Sequence, residues 1–258
     1  MKDILKYISL LILIVFSFYY TDKISTMIIY ESDLMQEIIE HKKVENKAFT
    51  NAIITGKYIT PGLNGLEINE LDSYYQMKKD YLYSRNKLVF NEVEPDTSIE
   101  KNKRLIINRG NEIKKAVSII FANNPQVEKY LENILLKVNK LINYSEFNND
   151  SRFEQINNEN DLKKLDILLD KYKINTNICI VNKNNEDKCR QAKKYLVEPT
   201  YYVDNVSIIG GEITSGDIIF ISDELTLSNF KLLLKKVSYR DLDIIYLSEL
   251  ISEKRYAK

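Results

Sequence analysis

The stretch Ala116-Val117-Ser118-Ile119-Ile120-Phe121, followed by Ala122-Asn123-Asn124-Pro125, decides the fold of this chain. A continuous, mostly apolar run of six residues without a charge is typical of a strand that is buried on both faces. Strands of this kind belong to parallel sheets whose faces are covered by other elements. The stretch therefore predicts an α/β domain built around this strand.

Strands and helices alternate in the sequence that follows. Pro125 is placed for the start of a helix, and apolar spacing predicts a helix over 127–142, a polar loop over 143–160 and a helix over 161–172. Four further strands are expected, at 177–181, 201–203, 217–222 and 244–247. Two helices are expected among them, at 189–195 and 225–237. This alternation predicts a mainly parallel sheet or barrel.

The composition limits the classes of partner. Lys and Arg together number 37, as do Asp and Glu, so the formal net charge is zero. No global field then favours a polyanion, and we predict no nucleic-acid partner. Hydrophobic residues make up 44% of the 258 residues, which is sufficient to bury a core.

The first 25 residues differ from the rest of the chain. Lys2 and Lys6 precede an uncharged apolar run over 7–20, and the polar Thr21-Asp22-Lys23 follows it. This pattern predicts a membrane-targeting segment, and the lack of a small-x-small cleavage site favours an uncleaved anchor. Because positive residues favour the cytoplasmic side of a membrane, the lysines before the run predict a cytoplasmic N-terminus. The rest of the chain is then the extracytoplasmic body of a single-pass membrane protein. Secretion after signal cleavage is the alternative.

Two segments separate the anchor from the main domain. Apolar residues at helical spacing over 26–51 predict a helical stalk, in which His41 is a solvated surface residue without a role. Residues 52–113 are predicted to form a small α+β unit that begins with the turn Thr60-Pro61-Gly62-Leu63-Asn64-Gly65. The turn lacks the Lys-Ser/Thr of a phosphate-binding loop, so no cofactor is expected.

The two cysteines, Cys179 and Cys189, leave two alternatives open. In an extracytoplasmic body they could close a small disulfide loop across the Asn-Asn turn between them. Two unpaired thiols are the other interpretation. Two thiols alone are not a metal site, and the single histidine, His41, lies far upstream.

Three stretches together resemble the polysaccharide deacetylase (NodB-like) family. They are the first strand, Ala116 to Phe121; the late strand Gly216-Asp217-Ile218-Ile219-Phe220-Ile221-Ser222; and the terminal Ile245-Tyr246-Leu247-Ser248-Glu249-Leu250-Ile251. The upstream Ile59-Thr60-Pro61-Gly62-Leu63-Asn64-Gly65 with Ser73-Tyr74 also resembles a region that precedes this domain in some bacterial homologues. The resemblance implies a shortened, distorted (β/α) barrel over 114–258.

The resemblance also implies which residues the chemistry would need. The family hydrolyses acetyl groups of cell-wall polysaccharides with a divalent metal held by one aspartate and two histidines, while a second aspartate takes a proton. Its first strand ends Phe-Asp-Asp-Gly, where this chain has Phe121-Ala122-Asn123-Asn124. Ala122 thus replaces the base, Asn123 replaces the metal-binding carboxylate, and Ser222 stands where the late-strand histidine is expected. We therefore predict no metal, no cofactor and no catalytic residue at these positions.

Three functional hypotheses follow. The first is a non-catalytic, deacetylase-like protein that binds cell-wall glycan. The second is a residual carbohydrate deacetylase or hydrolase that uses an acidic cluster of Asp217, Asp223 and Glu224. The third is a scaffold that docks another envelope protein through the unit at 52–113.

Overall fold

The computed structural model describes residues 2–142, 153–157, 171, 177–204 and 213–255. The described helices are α1 Lys2–Tyr30, α2 Asp33–Glu45, α3 Glu70–Met77, α4 Pro125–Leu131, α5 Glu186–Gln191, α6 Leu227–Tyr239 and α7 Leu247–Ile251. The strands are β1 Ile53–Thr55, β2 Tyr58–Thr60, β3 Gly65–Ile68, β4 Phe90–Val93, β5 Ile106–Ile107, β6 Ala116–Phe121, β7 Asn139–Ile142, β8 Glu154–Asn157, β9 Ile178–Ile180, β10 Tyr195–Val197, β11 Tyr201–Val203, β12 Ile218–Ile221 and β13 Asp243–Ile244.

The chain divides into two compact units, of which the first is Met1–Ala48 with Gly65–Val93 and the second is Phe49–Asn64 with Glu94–Lys258. This division differs from the predicted boundaries, because the predicted unit at 52–113 is shared between the two. Strand β2 of that predicted unit pairs in parallel with β5 and so belongs to the large sheet. Strands β3 and β4 pair with each other in a separate two-stranded sheet.

In the first unit the predicted N-terminal apolar helix is present as α1. Its segment Tyr7–Tyr30 has a mean hydropathy of 1.4 and none of it is buried, so by length and composition it could cross a membrane; a signal sequence has the same properties. The predicted single stalk helix over 26–51 is instead divided, because α1 continues to Tyr30 and the Ser32 hydroxyl caps a new helix, α2, by accepting from Met35 N. Helix α2 packs against α3 and β3 through a small core of Leu34, Ile38, Ile68 and Met77.

The second unit contains one large sheet with the strand order β1-β2-β5-β10-β9-β8-β7-β6-β12-β11, and β13 adds to β6. Every pair is parallel except β1–β2. All six residues of β6 are buried, as expected for a central strand. The predicted α/β fold with a mainly parallel sheet is therefore confirmed.

The two faces of this sheet are covered differently. Val117, Ile119 and Phe121 point to the face that α4 and α6 cover. On that face they pack in one buried cluster with Phe230 and Leu233 of α6. The alternate residues Ala116 and Ile120 point to the other face, where the C-terminal segment packs with its own apolar side chains: Ile245, Leu247, Leu250 and Ile251. Burying one such side chain contributes about 1.5–3 kcal/mol, so both faces stabilise the strand.

Asn139, at the start of β7, connects the sheet to that C-terminal segment. It is fully buried, and its amide nitrogen donates to Ser118 Oγ at 2.7 Å and to Ile119 O at 2.8 Å. Its amide oxygen accepts from Leu247 N, the first residue of α7, at 2.9 Å. A buried amide with all these partners is stabilising, because no polar atom is left without a hydrogen bond.

Several predicted elements are wrong. The helix expected over 127–142 ends at Leu131, and Asn139–Ile142 forms the strand β7, because its backbone pairs with β6 and β8. The loop expected over 143–160 contains β8, while the helix expected over 161–172 lies outside the described residues except for Lys171.

The remaining differences are shifts of position. The helix expected over 189–195 lies at Glu186–Gln191 and gives way to β10. The last strand, expected over 244–247, ends at Ile244, and α7 begins at Leu247. The turn at Pro61-Gly62 needs glycine because of close packing, since a Cβ at Gly62 would lie 2.2 Å from Thr50 O.

Candidate functional site

Three neighbouring strands, β11, β12 and β6, end at the same edge of the sheet. Val203 pairs with Ile221, and Ile221 pairs with Phe121. Because the strands are parallel, the residues that follow them lie side by side at the carboxyl edge. Ser222 N donates to Val203 O at 3.0 Å and continues this alignment beyond the strands. The carboxyl ends of parallel strands are where sites of α/β proteins form, so this edge is the candidate site.

Asn124 determines the conformation of this edge. Its side chain is buried, and its amide nitrogen donates to three carbonyl oxygens of the loop after β12: Ser222 at 3.1 Å, Asp223 at 3.2 Å and Leu225 at 3.0 Å. Its amide oxygen accepts from Val127 N at 3.1 Å and caps α4. One side chain thus joins the end of β6, the start of α4 and the loop after β12.

The three residues that the sequence resemblance matches to the family's base and metal ligands lie at this edge but provide no metal ligand. Ala122 is half-buried, Asn123 is exposed, and Ser222 is half-buried with an Oγ that is buried and finds no partner within the described residues. An alanine, an amide and a hydroxyl do not offer the carboxylate and imidazoles that a catalytic divalent metal requires. These residues therefore do not fit the metal of the deacetylase family.

No replacement ligands come from elsewhere in the described part of the chain. No group of three or more His, Cys, Asp or Glu that could hold a metal ion occurs among the described residues. His41, the single histidine of the sequence, belongs to the first unit, and its ring stacks on Tyr83 with the centroids 4.1 Å apart.

An aromatic surface lies next to these positions. Tyr202 of β11 is 55% exposed, and its ring centroid is 5.4 Å from that of Phe220 of β12. Phe220 is two residues before Ser222, so the two residues share a face of the sheet. Burial raises the pKa of the Tyr202 phenol, and the charge of Glu198 raises it further, so the hydroxyl is neutral at ordinary pH. The edge therefore presents an aromatic surface and the exposed side-chain amide of Asn123.

The three residues of the predicted acidic cluster do not come together. Asp217 precedes β12, at the amino edge of the sheet, whereas Asp223 and Glu224 follow β12 and are exposed at the carboxyl edge. Four residues of extended strand span about 13 Å, which is too far for shared chemistry.

Asp217 instead has structural partners. Its Oδ2 accepts from Thr214 N at 2.7 Å, and its Oδ1 lies 3.4 Å from Arg109 Nη2. Burial raises the pKa of the Asp217 carboxyl, against the opposing effects of the Thr214 hydrogen bonds and the Arg109 charge.

Cys179 and Cys189 are joined by a disulfide bond between β9 and α5. Both residues are fully buried, in a cluster with Ile106 and Leu196 on the face of the sheet that α5 covers. The bond lies away from the carboxyl edge of β6, and it has no part in the candidate site.

Two features that shape this edge were not predicted from the sequence. Asn124, directly before Pro125, has the residue type and position of a helix cap, so its capping role was available from the sequence. The pairing of Tyr202 with Phe220 was not, because it depends on the register between β11 and β12.

Comparison with known proteins identifies the fold. No family model matches the sequence, and no curated protein matches it. The fold is similar to that of BA3943, a CE4 family pseudoenzyme from Bacillus anthracis, with a TM-score of 0.60 and 19% identity over 88% of this chain and 97% of that chain. A BA3943 mutant with restored enzymatic activity gives a TM-score of 0.60 at 19% identity, over 87% of this chain and all of that chain. The similarity confirms the resemblance to a degenerate carbohydrate esterase at the level of the fold.

Proposed function

We propose that this chain is a membrane-anchored, extracytoplasmic, polysaccharide deacetylase-like protein that binds cell-wall glycan without hydrolysing it. In this proposal the large sheet is a shortened, distorted (β/α) barrel of deacetylase type and α1 is its anchor. The observation that supports the proposal is that Ala122, Asn123 and Ser222 lie together at the carboxyl edge of β6 and β12. By the sequence resemblance these three residues stand where the family has its base and metal ligands.

The absence of catalysis follows from the chemistry of these side chains. Hydrolysis of an amide or ester at neutral pH needs an activated water and stabilisation of the developing oxyanion. Ala122 accepts no proton, and Asn123 carries no negative charge to hold a divalent cation. No step of acetyl transfer can be assigned to these three positions.

Binding of a sugar needs only the surface that remains. A pyranose ring presents an apolar face that packs on aromatic rings, and Tyr202 with Phe220 supplies such a surface. Asn123 is exposed at the same edge. Its side-chain amide can exchange hydrogen bonds with sugar hydroxyl groups.

The proposal is tested by co-sedimentation of the full chain, in a mild detergent, with purified cell-wall sacculi across a salt series. We expect saturable binding that survives high salt, because stacking and hydrogen bonds are screened little. Tyr202→Ala should weaken binding about tenfold, since an aromatic contact with its buried area contributes roughly 1–2 kcal/mol. Tyr239→Ala is the matched control, because Tyr239 is 89% exposed on α6, which covers the opposite face.

Two further outcomes separate the alternatives. Metal-dependent acetate release from acetylated wall polymers would establish a residual deacetylase and contradict the non-catalytic proposal. Absence of sacculus binding, together with one stoichiometric protein that co-purifies, would favour the envelope scaffold.

The membrane topology has its own test. We expect the chain to fractionate with membranes and a C-terminal tag to be digested by protease added to intact spheroplasts. A protected tag would contradict the extracytoplasmic location, and a soluble, shortened product would show that the signal is cleaved.

A further inference from the structure

A cavity of about 410 Å³ lies in the second unit. It is at the opposite edge of the sheet from the candidate site. Asn177 and Ile178 at the start of β9 and Tyr195 at the start of β10 form one wall, so the cavity opens at the amino ends of these strands. The C-terminal segment, including Ile251 and Glu253, forms the opposite wall. The volume is within the range of small-molecule sites in proteins.

The inner part of this cavity is apolar. Ile178 is 6%, Ile99 6% and Ile251 3% exposed, and the ring of Tyr195 lies among them. Tyr195 is held in place because its hydroxyl donates to Glu100. The Lys103 ammonium also lies over its ring, 5.5 Å from the ring centroid. A ligand that enters must therefore present an apolar body to these side chains.

Glu253 gives the cavity a carboxyl group. Burial raises the pKa of this group, and the hydrogen bonds from Ile99 N and Gly62 N oppose that shift, so the carboxylate form is the one that binds a cation at a pH above this pKa. Its Oε1 accepts from Gly62 N and from Ile99 N, each at 3.1 Å, which orients the carboxylate. Its Oε2 makes no hydrogen bond or ion pair within the described residues. One oxygen thus has a structural role and the other is available to a ligand.

The charges that line the cavity are mostly of one sign. Glu94, Glu100 and Glu253 contribute carboxylates, and Lys254 is the single cationic residue of the lining in the described part of the chain. Because Lys103 neutralises Glu100, the charge of Glu253 is the one that a ligand meets in a half-buried position. Attraction between opposite charges is stronger there than at an open surface.

We propose that this cavity binds a small organic cation, with a primary ammonium group on an apolar body of about one ring. The ammonium donates to Glu253 Oε2, and the apolar body packs against Ile99, Ile178, Ile251 and the Tyr195 ring. This site is distinct from the glycan surface and does not depend on the proposed function, since the two lie at opposite edges of the sheet.

The test uses the full chain in detergent and benzylammonium as the probe, titrated by calorimetry. Benzyl alcohol is the neutral probe of the same shape. We expect saturable binding of benzylammonium with a dissociation constant of about 1 mM or below, and at least about tenfold weaker binding of benzyl alcohol. Equal affinity for both probes, or no saturation by benzylammonium, would overturn the proposal.

Two variants locate the site. Glu253→Gln keeps an amide oxygen for Gly62 N and Ile99 N but removes the charge, and should weaken benzylammonium binding about tenfold. Ser248→Tyr adds a ring to the exposed part of the cavity lining. It should block benzylammonium binding although the Glu253 carboxylate is kept. Glu224→Gln, at the other edge, is the charge-matched control and should bind as the unmodified chain does.

Thermal unfolding without the probe checks that each variant is folded. Added benzylammonium should then raise the Tm of the unmodified chain and of Glu224→Gln only. A probe that binds Glu253→Gln and the unmodified chain equally would refute the assignment to this cavity.

Discussion

Asn124 Nδ2 lies 3.1 Å from Ser222 O, so the end of β6 is joined directly to the end of β12 at the edge where deacetylase chemistry would take place. The family pattern has glycine where this chain has Asn124, and glycine has no side chain to make this connection. Asn124 therefore gives this edge a connection that glycine at the same position could not make.

The first prediction concerns this connection. Asn124→Ala removes the cap of α4 and three hydrogen bonds to buried or half-buried carbonyls, so it should lower the free energy of unfolding by about 2–3 kcal/mol. Urea unfolding of the full chain in detergent, followed by circular dichroism, measures the change. Asn123→Ala, its exposed neighbour, should change stability by less than about 0.5 kcal/mol. Equal effects of the two substitutions would show that the connection is not stabilising.

The second prediction concerns Asn139. Asn139→Leu leaves Leu247 N and the Ser118 hydroxyl without their partners, and should lower the free energy of unfolding by about 2–4 kcal/mol. The exposed Asn133→Leu, on the segment after α4, is the control and should have little effect. Proteolysis at the C-terminal segment should also increase in Asn139→Leu, because α7 loses its attachment to β7. A stable variant with unchanged proteolysis would contradict this role.

The third prediction concerns the pH dependence that Lys114 causes. Lys114 is 5% exposed, and burial lowers the pKa of its ammonium group to about 8 from an ordinary 10.5, although it donates to Glu249 O and Ser252 O. Between these two pKa values the unfolded chain binds the proton and the folded chain does not, so stability from this group rises with pH. Below pH 8 both states are charged and the folded state carries the full desolvation penalty.

The difference in unfolding free energy between the unmodified chain and Lys114→Met isolates this effect. We expect the difference to shift in favour of the unmodified chain by up to about 3 kcal/mol as pH rises from 7.5 to 10.5. Lys235→Met controls for removal of a positive charge from an exposed helix position. A difference that stays constant or falls over this pH range would contradict the lowered pKa.

The fourth prediction concerns the disulfide bond between Cys179 and Cys189. Under denaturing, non-reducing conditions a thiol reagent should find no free thiol. The double variant Cys179→Ala/Cys189→Ala should be about 2–3 kcal/mol less stable, because the bond restricts a loop of about ten residues in the unfolded chain. Added reductant should destabilise the unmodified chain to a similar degree and leave the double variant unaffected. Two reactive thiols in the unfolded, unreduced chain would exclude the bond.

The central strand was predictable because its signal is local. The run from Ala116 to Phe121 carries no charge and is mostly apolar, and β6 has these same ends. Residues 201–203 were likewise predicted as a strand and form β11. In both cases strand propensity and burial favour the same structure, so no tertiary contact overrides the pattern.

The segment after α4 was not predictable in this way. Its apolar residues at 131, 134, 135, 138, 141 and 142 fit a helical stripe, yet Leu135 is fully exposed and Asn139 begins a strand. Periodicity cannot weigh the hydrogen bonds that β7 gains from β6 and β8, because those partners are distant in sequence.

The acidic residues show the same limit at the level of the site. Asp217, Asp223 and Glu224 are close in sequence, and this closeness suggested a cluster. Strand β12 between them is extended, which places Asp217 and Asp223 at opposite edges of the sheet.

The central strand, the α/β class, the apolar N-terminal helix and the lack of a carboxylate or imidazole at Ala122, Asn123 and Ser222 can all be read from the amino-acid sequence, because each depends on residue type and near neighbours. Three relationships appear only in the folded chain: Asn124 joins β6 to β12, Tyr202 meets Phe220, and Glu253 faces a cavity beside Tyr195. These relationships join residues far apart in the chain, and the pairing of strands and the packing of the C-terminal segment bring them together.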